Sequence, residues 1–232
     1  MRKIIAQFIV IFLFPLMVFA QAEKQNPYHL RIIGTLEEYN KACQQDDKNE
    51  LVDLEKAIPS IKLDIRYATD NNFTKKKVYT SARAFLRQPA AQALRKVQQD
   101  LSKQGLGLKV FDAYRPYSAT ILFYDLIRDT LFVASPAQGS RHNRGCAIDV
   151  SLVDLKTGIE LEMPTGYDDF SEKAHPAYAD LPAMAKENRQ ILINAMKEQG
   201  FEVFGSEWWH FDFTGWQSFG LMDLSFEELK QP

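Results

Sequence analysis

Two short segments gather most of the residues able to do chemistry. Ser140-Arg141-His142-Asn143-Arg144-Gly145-Cys146-Ala147-Ile148-Asp149 carries a histidine and an aspartate seven residues apart. Glu207-Trp208-Trp209-His210 carries a glutamate and a second histidine. The chain has four histidines, His29, His142, His175 and His210, so any imidazole site draws on a short list. A catalytic zinc takes three protein ligands and keeps a fourth position for water. His142, Asp149 and His210 offer two nitrogens and one oxygen, and Gly145 allows the tight bend between the first two. Asp149 leads into an apolar strand with Val150 and Leu152, where a carboxylate is costly unless paired or bound to a cation.

Hydrolysis needs more than a metal. Some group must take the proton of the attacking water and pass it to the leaving amine. Glu207, three residues before His210, is the candidate. The oxygen that becomes negative in the tetrahedral intermediate wants a fixed positive donor. Arg115 in Asp112-Ala113-Tyr114-Arg115-Pro116 suits this, at a strand end stiffened by proline. Plainer readings stand beside these. A single histidine is more often a surface or core residue than a ligand, Trp208-Trp209 suits core packing, and Arg115 can equally make a structural ion pair. His175 has no partner motif and reads as surface, and His29 reads as inert. Spacing alone is weak support, since HxxxxxxD is far less specific than HExxH.

The elements that must position these residues are legible in outline. Ile61-Lys62-Leu63-Asp64-Ile65 alternates as a half-buried strand. A helix starts at Pro89, with Ala90, Leu94, Val97 and Leu101 at helical spacing, and Gly105 and Gly107 end it. Leu108–Phe111 is a short strand delivering Asp112 to Pro116. Ser118 is expected to cap a second helix. Residues 134–146 read as a loop, Ala147–Val153 as a strand, Leu181–Gln199 as a third helix, and Phe201–Phe204 and Trp208–Phe213 as strands. Without regular β-α-β alternation, the order predicts an α+β fold, a single domain with a central, largely antiparallel sheet and flanking helices.

The start of the chain stands apart. Met1-Arg2-Lys3 precedes an apolar run from Ile4 to Ala20, followed at once by polar sequence, the pattern of a cleaved export signal. The competing reading, a retained anchor, is weakened by the run's 17 residues and by Pro15. The expected division is a signal over 1–20, a polar extension over 21–50 with a short helix near Leu36–Cys43, and the working domain over 51–232. The expected location is periplasmic or secreted, with no stable membrane association once the signal is removed. Of 232 residues, 28 are Lys or Arg and 30 Asp or Glu. Removing residues 1–20 takes two basic residues and no acidic ones. That balance lacks the basic excess expected for nucleic-acid binding. Two cysteines, Cys43 and Cys146, exclude a disulfide scaffold, and they are expected not to pair despite the oxidising compartment.

The motif SxHxxGxAID, followed some sixty residues later by EWWH, resembles the D-alanyl-D-alanine dipeptidase family. These are zinc peptidases related to the vancomycin-resistance dipeptidase. The resemblance runs from about Leu51 to Phe213. It includes Tyr67-Ala68-Thr69, Asn72-Phe73-Thr74, Asp112 to Pro116 and Tyr167-Asp168-Asp169-Phe170. It implies one zinc ion on His142, Asp149 and His210, with Glu207 as general base and Arg115 steadying the transition state. Tyr67, Ser140 and Asp169 would line a pocket for a small dipeptide, Asp169 taking its free amino group. The implied activity is hydrolysis of D-Ala-D-Ala or related dipeptides derived from peptidoglycan. A wall-directed D,D-carboxypeptidase or endopeptidase, or a zinc-stabilised binding module without catalysis, are the alternatives. The chain departs from the resistance enzyme in carrying Arg141 where that enzyme has serine, in carrying Cys146 at a small-residue position, and in its export signal.

Overall fold

The computed structural model describes residues 28–130 and 132–230. The apolar run of residues 4–20 lies outside them. Among the described residues no helix is long and apolar enough to cross a membrane.

In chain order the elements are β1 (Ile32–Ile33), α1 (Leu36–Gln45), β2 (Leu51–Asp53), α2 (Leu54–Ala57), β3 (Lys62–Leu63), β4 (Phe85–Arg87), α3 (Gln88–Ser102), β5 (Leu106–Asp112), α4 (Tyr117–Ile127), β6 (Ala147–Asp154), α5 (Ala183–Glu198), β7 (Phe201–Phe204), β8 (Glu207–Phe213) and β9 (Leu221–Met222). Five strands form the central sheet in the order β3-β5-β6-β8-β7. β3 runs parallel to β5, and every other pair in that sheet is antiparallel. The fold is α+β with a largely antiparallel sheet.

Helix α3 has proline in its first turn, and Ala90, Leu94, Val97 and Leu101 are all buried on one stripe. These side chains share one core with Leu192 and Met196 of α5 and with Ile148, Val150 and Leu152, alternate residues of β6. Burying each of the Leu, Ile, Val and Met side chains contributes about 1.5–3 kcal/mol. Trp208 is fully enclosed and serves packing, as expected, whereas Trp209, nearly as buried, also lines the cavity described below. The Trp208 indole N–H still reaches a partner, donating to Thr165 Oγ1 at 2.9 Å.

Several local expectations shift. Of the strand expected over Ile61–Ile65, only Lys62 and Leu63 are in register with β5, and one further bond, from the Asp64 N–H to the Val110 carbonyl at 2.8 Å, ends the pairing. Helix α4 starts one residue before Ser118, and Ser118 does not cap it with its own side chain. Instead Asp223, from the C-terminal tail, accepts from the Ser118 N–H at 3.0 Å and from its hydroxyl at 2.7 Å. The expected N-terminal helix is present as α1, closed by a capping box between Thr35 and Glu38. This region is docked onto the domain. β1 pairs in parallel with β9, and the Leu51 N–H donates to the Tyr39 hydroxyl at 2.7 Å. Cys43 and Cys146 are both free thiols, and burial pushes the Cys146 thiol up to about 12.

Arg87 ties three distant stretches together. It is wholly buried and donates to the carbonyls of Asn49, Arg144 and Gly220.

Candidate metal centre

The sheet lays three polar residues in one row. Asp112 on β5, Asp149 on β6 and His210 on β8 are direct cross-strand partners. Side chains so paired share a face of the sheet. The register of β5 against β6 shifts between Val110 and Asp112, and that of β7 against β8 between Val203 and Phe204. In a regular strand, residues three apart such as Glu207 and His210 would point to opposite faces. The irregularity at the start of β8 turns both toward one cavity, a common use of bulges beside functional sites.

His142 arrives from the loop before β6, in one turn of 3₁₀ helix ended by Gly145 at a φ of 69°. Only glycine takes that conformation without strain. The loop is knit by Asn143, which is fully buried. Its Nδ2 donates to the Arg115 carbonyl and to Thr120 Oγ1, both at 2.9 Å, and its Oδ1 accepts from the Ser140 N–H at 2.7 Å.

His142, Asp149 and His210 come together with one donor atom each, all within 4.8 Å of one another. His142 Nε2 lies 3.2 Å from His210 Nδ1 and 3.4 Å from Asp149 Oδ1, and His210 Nδ1 lies 3.0 Å from that same oxygen. Asp149 is 2% exposed, and its Oδ2 accepts from the Tyr167 hydroxyl at 2.9 Å. Among the described residues its Oδ1 has no hydrogen bond of good geometry, although both imidazole nitrogens lie close to it. Such a buried orphan oxygen is costly. The outer nitrogens explain the geometry. His142 Nδ1 sits 2.7 Å from the Ala113 carbonyl, and His210 Nε2 sits 3.1 Å from Asp212 Oδ1. With a proton on each outer nitrogen, both inner nitrogens turn a lone pair toward Asp149 Oδ1. Second partners of this kind orient metal-bound histidines. Two imidazole nitrogens and one carboxylate oxygen around a common point fit a zinc ion with an open coordination position.

The cavity around this point has a volume of about 480 Å³ and is lined by Tyr67, Arg115, Ser140, Arg141, Asp168 and Glu207 among others. Burial pushes Glu207 up to about 7, and its Oε2 lies 3.7 Å from His210 Nδ1. Burial likewise pushes Asp168 up to about 8, with the charge of Asp149 adding to the effect. Arg115 combines both readings of it. Its Nε and Nη2 donate to Asp112 Oδ2 at 2.9 and 2.7 Å, while the side chain also lines the cavity, 4.0 Å from Asp149 Oδ2. The Tyr79 hydroxyl and the Ala113 N–H hold the other Asp112 oxygen.

The substrate-side residues divide. The Tyr67 hydroxyl points to the cavity and donates to Asp168 at 3.1 Å. The Ser140 hydroxyl oxygen accepts from the His142 N–H at 3.2 Å, so it braces the loop as well as lining the cavity. Asp169, expected to face the amino group of a substrate, instead accepts from the Ser171 N–H at 2.8 Å. Its neighbour Asp168, at a φ of 60°, is the aspartate that enters the cavity. Neither His29 nor His175 lines it. Tyr167, Asn143 and Asp212 were not singled out as site residues in the sequence. For Asp212 a signal existed: two residues beyond His210, it shares that residue's face.

A family model described as D-ala-D-ala dipeptidase matches residues 47–227. The chain is 36% identical over 176 residues to the D-alanyl-D-alanine dipeptidase of Escherichia coli (strain K12), covering 76% of this chain and 91% of that protein. It is 32% identical over 178 residues to the D-alanyl-D-alanine dipeptidase of Enterococcus faecium, covering 68% and 88%. Among solved structures, an LD-carboxypeptidase, LdcB, aligns with a TM-score of 0.40 and 20% identity over 58% of this chain and 61% of that one.

Proposed function

We propose, because this chain belongs to the D-alanyl-D-alanine dipeptidase family, that it hydrolyses D-Ala-D-Ala or closely related dipeptides derived from peptidoglycan. The observation that carries the reading is the orphaned Asp149 Oδ1 facing two imidazole nitrogens in a cavity shared with Glu207. His142, Asp149 and His210 would hold the zinc. When bound, such an ion supplies Lewis acidity and a water of lowered pKa.

The chain's own residues account for the rest. Glu207, enclosed and held near neutrality, takes the proton of the attacking water and returns it to the departing amine. Arg115 stays charged and is fixed by Asp112, so it faces the developing oxyanion with little reorganisation. Asp168 and Tyr67 form the amine end of the cavity. A buried carboxylate pushed toward its neutral form is stabilised as the anion when an ammonium comes beside it. That pairing favours a free N-terminus, hence a dipeptide over a longer wall peptide. The basic start and apolar run of residues 1–20 support export, so the substrate would be dipeptide released outside the cytoplasm.

The test incubates the zinc-loaded protein with D-Ala-D-Ala and with N-acetyl-D-Ala-D-Ala and measures free D-alanine. Release from the first and little from the second is expected. Faster release from the blocked substrate would favour a carboxypeptidase. No release from any short D,D-peptide with zinc bound would overturn the peptidase reading of the site.

A further inference from the structure

We propose that Arg141 is a positioning residue for the metal centre, acting through Asp212 to hold the His210 imidazole with Nδ1 facing inward. The inference rests on the zinc reading above and concerns contacts that the reading does not use.

The two ligand histidines are anchored differently. His142 has a backbone carbonyl, that of Ala113, at its outer nitrogen. A carbonyl in a folded chain does not rotate. His210 has a side-chain carboxylate instead, and the terminal torsion of an aspartate is soft. Something must keep Asp212 from turning. Its carboxylate is divided between two partners: Oδ1 lies 3.1 Å from His210 Nε2, and Oδ2 lies 3.0 Å from Arg141 Nη1. The guanidinium is itself held, with Cζ 4.9 Å from the centroid of the Trp216 ring. The Arg141 carbonyl accepts from the N–H groups of Arg144 and Cys146, which fixes its backbone. Arg141 immediately precedes His142, and Asp212 follows His210 by two residues. A single run of contacts therefore straps one ligand segment to the other. Asp212 is 8% exposed, so losing Arg141 would leave a nearly buried oxygen without its counter-charge and free to swing away from Nε2.

Zinc affinity of the full chain, measured by competition with a chromophoric chelator, tests this. Outer partners of metal-bound histidines typically change affinity by about 10–100-fold, so Arg141→Ser should weaken zinc by roughly tenfold or more. Arg141→Lys, which keeps a charged donor for Oδ2, should recover most of that loss. Because Arg141 acts only through Asp212, Arg141→Ser should add little further loss in an Asp212→Asn background. Where Arg141→Ser does not fold, Arg141→Gln makes the same comparison. Zinc bound within twofold of the parent by Arg141→Ser, or by Arg141→Gln in its place, overturns the proposal. So does an equal loss in both backgrounds. A parent chain that holds no zinc would overturn the metal reading itself, a distinct outcome.

Discussion

The two ends of strand β6 obey different rules. From Val150 to Asp154 it pairs in regular register with β5, Val150 opposite Val110 and Leu152 opposite Leu108. There Val150 and Leu152 alternate into the core shared with α3 and α5, and the one polar residue between them, Ser151, is buried with an uncharged hydroxyl that lacks a partner among the described residues. From Ala147 to Asp149 it faces β8, and its partner on β5 is reached only after a register shift. That end buries Asp112, Asp149 and His210 side by side, with an unsatisfied oxygen among them. The regular end supplies stability. The irregular end spends some of it to hold groups that would be unfavourable without a cation.

Substitutions can separate the two ends. The largest effect is expected at the irregular end: Glu207→Gln should lower kcat by about 10²–10⁴-fold. Metal analysis should still find zinc retained, since Glu207 is not one of the three converging ligand residues. Leu152→Ala, at the regular end, should do the converse. It should cost about 2–5 kcal/mol of stability, each kcal/mol lowering Tm by ~2–4 °C, with kcat/KM of the folded enzyme nearly unchanged. If Leu152→Ala instead depresses kcat/KM, the two ends are coupled more tightly than their packing suggests.

Smaller effects test the boundaries. Gly145→Ala puts a Cβ into a left-handed position at 2.8 Å from Leu51 Cδ2. It should cost about 1–2 kcal/mol, seen in denaturant unfolding. Zinc affinity should fall with it, because Gly145 ends the turn bearing His142. The gentlest test lies outside both ends. Burial pushes Tyr39 up to about 12, so the folded chain keeps that proton where the unfolded chain releases it near 10. Stability from this group is therefore whole below about pH 10 and is lost as pH rises from ~10 to ~12. Tyr39→Phe should make alkaline unfolding less steep by the share of one proton; an unchanged slope would mean Tyr39 is not buried against Leu51 as described.

What was legible in the sequence follows the same division. Helix α3 and the strands bearing Val150 and Phe211 obey simple periods, and their extents could be read to within a residue or two. The convergence of His142, Asp149 and His210 could be read from residue type and motif, because few other residues could serve. Placement that depends on irregular backbone was hidden. The choice between Asp168 and Asp169 turns on a positive φ at one of two identical neighbours, which no alternation pattern encodes. Asp212 lay in a strand whose alternation pointed to it, but its link to Arg141 joins residues 71 positions apart. The docking of residues 32–50 depends on a two-residue pairing with β9 at the other end of the chain, too short to leave a pattern.

Arg87 has a consequence for how the molecule opens. Its guanidinium meets carbonyls from the N-terminal lead-in, the loop behind His142 and the C-terminal tail. Among the described residues no carboxylate pairs with it, so releasing any one stretch leaves part of a buried cation unsatisfied and weakens its hold on the other two. Fraying at either terminus is thereby made a collective event. In amide hydrogen exchange, the N–H groups of Leu51, Gly145 and Met222 should exchange together as one cooperative unit, with a shared opening free energy, rather than in the graded order expected of loose chain ends.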